Sequence, residues 1–417
     1  MDERVDIYNS NISVVLAILH QFLDSNNVSI PDEDLTSEQI LDYLQLAGII
    51  TEPQKAVSTD DLKSYKEYRI HTIMAMYMPP VILFLGTVGN VMSFLILRHK
   101  TMNRMSTNTF LAALSVADSF VLLIGLFRNW LGEITQIDLQ TESRLLCKLI
   151  TVLGYSTSQY SVWLIVAVTV ERYIVVCHPL RASYFCNIPR ARKVVCLLAL
   201  LFLTINIHLL WTVDLNEEIY NDHVVYKCEG ALSHGRLVND IWPWIDALLY
   251  SFSPTLIIVM LNIMIIRQVI KATYGRDELQ NGSLMKSESR RCTKDGNTKL
   301  TVMLLTISFT FLITTIPMNI VMIVTRVWQE DFKYDAALLA KCWLVRTIAE
   351  LLMYLNHSIN FFLYCATGQK FRNIVFRMVC RRSNSNTSNV SDHSQHIYCS
   401  RTNVNACSHK SVNETAL

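Results

Sequence analysis

Seven separate stretches of this chain are long and apolar enough to cross a bilayer: residues 72–97, 108–131, 149–171, 194–213, 241–266, 300–325 and 342–365. A helix traversing roughly 30 Å of hydrocarbon needs about 20 apolar residues. Within a single such segment, the helix is the conformation that satisfies every backbone hydrogen bond. The pattern therefore predicts an all-α membrane protein, a seven-helix bundle. Composition agrees, because charged residues make up 17% of the chain, against roughly 25% in ordinary soluble domains.

Charge in the connections sets the orientation. Arg98, Lys100 and Arg104 follow the first span without an acid, and Arg181, Arg190, Arg192 and Lys193 follow the third. Eight basic residues against four acidic ones lie between Arg267 and Lys299, and Lys370, Arg372, Arg377, Arg381 and Arg382 follow the seventh span. An excess of Lys and Arg marks the cytoplasmic side. The first 70 residues carry 13 acidic and 5 basic side chains, which suits the outer face. The N terminus is thus expected outside and the C terminus inside, with the first span acting as the targeting signal. The start, Met-Asp-Glu-Arg, is acidic where a secretory signal is basic.

The expected organisation is an extracellular segment over 1–70, the bundle over 71–367, an amphipathic eighth helix over 368–382 and a disordered cytoplasmic tail over 383–417. Asn11 and Asn27 open glycosylation sequons on the lumenal side. Ile40, Leu41, Leu44 and Leu46 suggest a short amphipathic helix after Ser37, equally consistent with a plain surface helix. Cys147 and Cys228 both fall on the oxidising side, where a disulfide can form; the alternative is two independent thiols. Cys380 lies beside the membrane and is a candidate for palmitoylation. In the tail, Ser383, Ser385, Thr387, Ser388 and Ser391 are candidate phosphate acceptors. The final Thr415-Ala416-Leu417 suits a PDZ groove, which captures a terminal carboxylate.

Polar residues inside the spans are expensive and usually functional. Asp118 lies mid-span in the second segment, with Asn90, Ser161, Asn356 and Asn360 expected at the same depth. Such a carboxylate, ringed by Ser and Asn oxygens, can hold a monovalent cation or a proton, or can form an ion-free polar core. Glu171-Arg172-Tyr173 ends the third span, and Cys147 lies 25 residues before Arg172. That is about 37 Å along a helix, enough to put the two at opposite membrane surfaces.

Taken together, Asp118, Cys147, Glu171-Arg172-Tyr173 with His178-Pro179-Leu180, Cys228, Phe311, Pro317 and Asn360 to Tyr364 resemble the rhodopsin-like (class A) G protein-coupled receptors over residues 70–382. Asn356 to Cys365 is similar to invertebrate neuropeptide receptors of the FMRFamide and myosuppressin type. The resemblance implies plasma-membrane residence, an extracellular ligand, a heterotrimeric G protein and arrestin as partners, and no enzymatic activity. It gives Glu171, Arg172, Tyr173, Phe311, Pro317, Asn360 and Tyr364 roles in activation. Glu171 would pair with Arg172 at rest, and Asp118, Ser161, Asn356 and Asn360 would form a sodium pocket. Several positions depart from the family pattern. Thr315 stands where Trp is usual, Phe361 where Pro is usual, Asn262 where Tyr is usual, and the usual Trp deep in the fourth span is missing.

Ligand classes can be narrowed by the same resemblance. Gly154 occupies the position of the amine counter-ion, and Tyr354 that of the retinal Lys. Neither amines nor retinal are expected. The second outer loop carries Asp214, Glu217, Glu218, Asp222, Glu229 and Asp240 against Lys227 and Arg236, a balance that concentrates cationic ligands. Arg128, Trp130, Tyr155, Gln159, Trp242, Trp244, Tyr250 and Glu350 are candidate contacts for a short cationic peptide, best represented by an amidated Arg-aromatic C terminus. Glu350 can equally pair with Arg346 four residues earlier. A non-peptide ligand, or a heptahelical protein without G protein coupling, is the alternative. Internal repeats typical of transporters, zinc-spaced His/Cys sets and phosphate-cradling glycine loops are not evident, and nothing points to nucleic acid.

Overall fold

Each membrane helix is set by an apolar run bounded by a turn or a polar cap. The computed structural model describes residue 57 and residues 59–220, 223–280, 288–327 and 335–383. The helices are α1 (Lys66–Leu97), α2 (Ser106–Thr135), α3 (Arg144–Cys177) and α4 (Ile188–Thr212). After a hairpin of β1 (Val213–Tyr220) and β2 (His223–Gly230) comes α5 (Arg236–Ala272). Then follow α6 (Glu288–Val327), α7 (Ala336–Thr367) and α8 (Gln369–Ser383). The residues following Thr212 pair as antiparallel strands, with Val213 opposite Gly230 and Leu215 opposite Cys228. The acidic second outer loop thus carries a two-stranded hairpin.

Caps explain where the helices begin. Ser143 Oγ accepts from the Leu146 N–H at the start of α3, and Asn187 Oδ1 accepts from the Arg190 N–H at the start of α4. Asp335 does the same for Leu338 at α7. Each satisfies a donor that the first turn leaves without an intrahelical partner. Leu122–Phe127 of α2, and Arg236–Ile241 and Ala247–Phe252 of α5, are π-helical. In the last of these, the Leu249 carbonyl accepts a 2.9 Å bond from Trp163 Nε1 of α3. A π-turn offsets the intrahelical ladder and often marks functional regions.

Among the described residues, six helices are apolar enough along their length to be membrane spans, α1 to α6. The seventh, α7, is also long enough, at 32 residues. It is more polar because Asn356, His357, Ser358 and Asn360 are all buried along it. Conversely, Phe84, Leu197, Leu256 and Ile313 are exposed by 68, 66, 68 and 70%. Side chains of that size are excluded from water but cost nothing against lipid tails. Polar residues inward and apolar ones outward is a membrane protein's arrangement.

The chain falls into two compact units. The smaller comprises residues 1–71 and 323–345, in which the His71 and Trp343 rings stack 5.2 Å apart. The larger, residues 72–322 and 346–417, contains part of every membrane helix. Its main core draws Ile96, Leu114, Leu164, Ile258, Leu304, Phe311 and Tyr364 from six helices. A second cluster joins α1, α2 and α7 through Ile82, Leu122, Leu126 and Tyr354. Two glycines permit this closeness. A Cβ on Gly86 would lie 2.7 Å from Ser358 Cβ, and one on Gly125 would lie 2.6 Å from the Tyr354 hydroxyl.

α7 continues unbroken past Phe361, the position where the family's proline would lie. Phe361 instead packs against Phe362 and Phe371, at 5.5 and 5.8 Å between ring centroids. Asn11, Asn27, the tail serines after Ser383, Thr415 and Leu417 lie outside the described residues, as do the Ser37 helix and the side chains of Ser383 and Cys380.

Candidate functional site

Three polar assemblies are stacked along the bundle of the larger unit, and they can be built up in turn. The first lies at the Cys147 end. Cys147 is bonded to Cys228, which fastens β2 to the start of α3. Asp214 of β1 reinforces the fastening, with its carboxylate 3.9 Å from both Arg144 Nε and Lys148 Nζ. Part of the loop's acidity is therefore spent on α3. Beneath the hairpin, Trp242 packs with His208 at 4.4 Å and Tyr155 at 6.1 Å between ring centroids.

A chain of hydrogen bonds crosses the same end. Asn129 Nδ2 donates to Glu350 Oε1 of α7 at 2.8 Å, and Arg128 Nη2 donates to Asn129 Oδ1 at 2.8 Å. Arg128 Nη1 donates to Gln140, whose Nε2 donates to Thr151 Oγ1 of α3 at 2.6 Å. One charge-bearing path thus links α7, α2 and α3. Glu350 is tied to Asn129 and, among the described residues, forms no ion pair with Arg346, which is exposed. The i,i+4 alternative is set aside.

Several proposed ligand contacts are used structurally. Gln159 is fully buried, with Nε2 donating to Asp246 Oδ1 of α5 and Oε1 accepting from Asn206 Nδ2 of α4, each at 2.8 Å. Each end of its amide is thus bonded to a neighbouring helix. Trp242 is 5% exposed within the core, and Trp130 Nε1 donates to the Met76 carbonyl at 2.9 Å. Trp244 is 53% exposed. Arg128, Tyr155, Tyr250 and Glu350 stay half-buried at or below this end.

The second assembly is mid-bundle and centres on Asp118. Its Oδ1 accepts from Ser161 Oγ at 2.6 Å, and its Oδ2 from Asn360 Nδ2 at 2.7 Å. His357 Nδ1 sits 2.8 Å from Oδ1, and Asn90 Nδ2 donates to the His357 carbonyl at 3.0 Å. With an ionised carboxylate, which only accepts, this contact has the imidazole donating through Nδ1. Three of the expected residues, Asp118, Ser161 and Asn360, do come together. Asn356 is buried but makes no hydrogen bond to Asp118 among the described residues; His357 takes that place. The sequence had one signal for it, an ionisable residue inside a span beside two Asn residues.

The third assembly is at the Arg172 end. Glu171 and Arg172 are both buried, and the Glu171 charge acts on the guanidinium without the direct contact of the expected ion pair. Ser106 Oγ of α2 donates to Glu171 Oε1, while Arg172 Nη2 donates to Thr107 Oγ1 at 2.5 Å. Neighbouring residues on a helix point in directions about 100° apart, so adjacent α2 hydroxyls capture them separately. Tyr173 meets His178 edge to face, with ring centroids 5.5 Å apart. Phe311 is buried in the core beneath Thr315, whose hydroxyl donates back to the Phe311 carbonyl at 2.7 Å in place of a tryptophan. Pro317 lies two residues further along α6, and Tyr364 is buried beside Phe371 at 5.5 Å.

Residues 89–364 match the model of the 7 transmembrane receptor (rhodopsin family). The chain belongs to that family. This receptor is similar to the thyrotropin-releasing hormone receptor of Homo sapiens, 29% identical over 329 residues, covering 75% of this chain and 79% of that protein. The Bos taurus counterpart is 28% identical over 331 residues, with 75% and 79% covered. It is also similar to the FMRFamide receptor of Drosophila melanogaster, 25% identical over 310 residues, covering 72% of this chain and 52% of that protein. The family is one of multi-pass membrane receptors, not enzymes.

Proposed function

We propose that this receptor recognises a short cationic peptide at the outer end of the bundle and activates a heterotrimeric G protein at the opposite end, in the plasma membrane. The observation that carries the ligand reading is the half-buried path Glu350–Asn129–Arg128–Gln140–Thr151. Charged groups held among apolar helices usually face a ligand or a conduit. This path ends on three helices, so a ligand that replaces one of its bonds changes how those helices are tied. A peptide's guanidinium suits Glu350, and its terminal amide suits Arg128 or Gln140. The names of the similar receptors, for thyrotropin-releasing hormone and FMRFamide, support a peptide.

The coupling reading rests on Arg172. A guanidinium whose direct bond is to one hydroxyl, with the Glu171 carboxylate near but not in contact, is released more cheaply than one locked in a buried ion pair, and a G protein segment entering that end would offer it new acceptors. Arrestin and a PDZ protein are further partners suggested by the tail sequence. The test is expression in cells lacking endogenous peptide receptors, challenged with a library of amidated peptides, with calcium and cyclic nucleotide readouts. A dose-dependent response to an Arg-containing amidated peptide is expected, and Glu350→Lys should cut its potency more than that of an analogue lacking the charge. Activation by amines or lipids and by no peptide would refute the ligand class.

A further inference from the structure

We infer that the mid-bundle carboxylate of this receptor does not hold a sodium ion, because the fully buried imidazole of His357 fills its place against Asp118. A hard alkali cation is bound by oxygen atoms that turn their lone pairs towards it. Around Asp118, the groups turn protons towards the carboxylate instead. Ser161 Oγ donates at 2.6 Å and His357 Nδ1 lies at 2.8 Å on one oxygen, while Asn360 Nδ2 donates at 2.7 Å on the other. A cation approaching Oδ1 would meet the positive end of the imidazole N–H rather than a ligand. Asn356, which would have supplied an oxygen, makes no bond to Asp118.

The imidazole cannot easily retreat. Its ring is fully buried, its own backbone carbonyl is held by Asn90 Nδ2 at 3.0 Å, and the next residue, Ser358, abuts Gly86 of α1. The ring is thus wedged against α2 and α3 from a fixed point on α7. A side chain of the chain itself therefore engages this carboxylate and joins the three helices. An ion with no site has no differential affinity for the resting and active states, so it cannot shift their equilibrium.

The test is the melting temperature of the purified full-length receptor in sodium chloride and in choline chloride, at matched ionic strength and pH. The wild type should melt at the same temperature in both. His357→Ser, which replaces the ring with a small oxygen ligand, should become sodium-dependent and melt at least about 2 °C higher in sodium. Adding Asp118→Asn should remove that response. Line broadening of the sodium NMR signal, wild type against Asp118→Asn, gives a second readout if His357→Ser does not fold, and equal line widths are expected. A wild type stabilised by sodium, a sodium signal broadened by the wild type more than by Asp118→Asn, or a folded His357→Ser that remains insensitive would each overturn the inference.

Discussion

Replacing Gln159 by Leu separates a structural role from a ligand contact. The side chain is fully buried and bonds Asp246 of α5 and Asn206 of α4. Interhelical hydrogen bonds in membrane proteins contribute about 0.6 kcal/mol on average and up to about 1.7. Two bonds therefore imply a loss of roughly 1–3 kcal/mol, nearer the top because one acceptor is a carboxyl group left buried without its partner. Asn206 keeps its bond to the Phe202 carbonyl at 2.7 Å, which limits its share. With that limit the loss is about 2 kcal/mol, and at roughly 2–4 °C per kcal/mol the purified receptor should melt about 4–8 °C lower. Asp246→Leu in the same background should add less than its own single-variant loss, since the orphaned carboxyl is removed with it. Radioligand binding to the folded, surface-expressed fraction should keep the wild-type dissociation constant. An unchanged melting temperature with weakened binding would refute the reasoning and return Gln159 to the ligand site.

Four other outcomes are expected. Cys147→Ser and Cys228→Ser each open a loop of 81 residues, costing about 4 kcal/mol by chain entropy; surface expression should fall equally in both singles and in the double, and additive defects would refute the bond. Arg172→Ala should abolish G protein activation with expression intact, measured by nucleotide exchange on membranes. Thr107→Ala frees the Arg172 guanidinium of a charged bond worth about 1.5 kcal/mol, so basal exchange should rise about tenfold; an unchanged or lower basal rate would contradict the resting contact. Burial, and next the Glu171 carboxylate, push the Cys186 thiol up, with Arg172 opposing. Its alkylation should therefore be slow at neutral pH, accelerate as alkali generates thiolate, and become faster in Glu171→Gln, as followed by mass spectrometry.

How much of this was legible in the sequence follows from the range of the interactions involved. Apolar runs and loop charge act locally or additively, so seven helices could be read directly, and Cys147 and Arg172 fell at opposite ends of α3 from their spacing alone. Identities of polar partners depend on helix rotation and on which residue faces which, and there the reading slipped by one position. Asn356 and His357 are adjacent, yet a 100° turn of the helix decides that His357 meets Asp118. The same step on α3 sends Glu171 to Ser106 and Arg172 to Thr107 rather than to each other. The β1–β2 hairpin was hidden for a different reason. Its acidic, mixed composition has no strict alternation, and its pairing is held by a disulfide and by Asp214 against α3, contacts more than sixty residues away in sequence. Family motifs name the residue types a site needs, but rotation and long-range ties decide which copy of each type is used. In this receptor they select a histidine at the centre of the bundle.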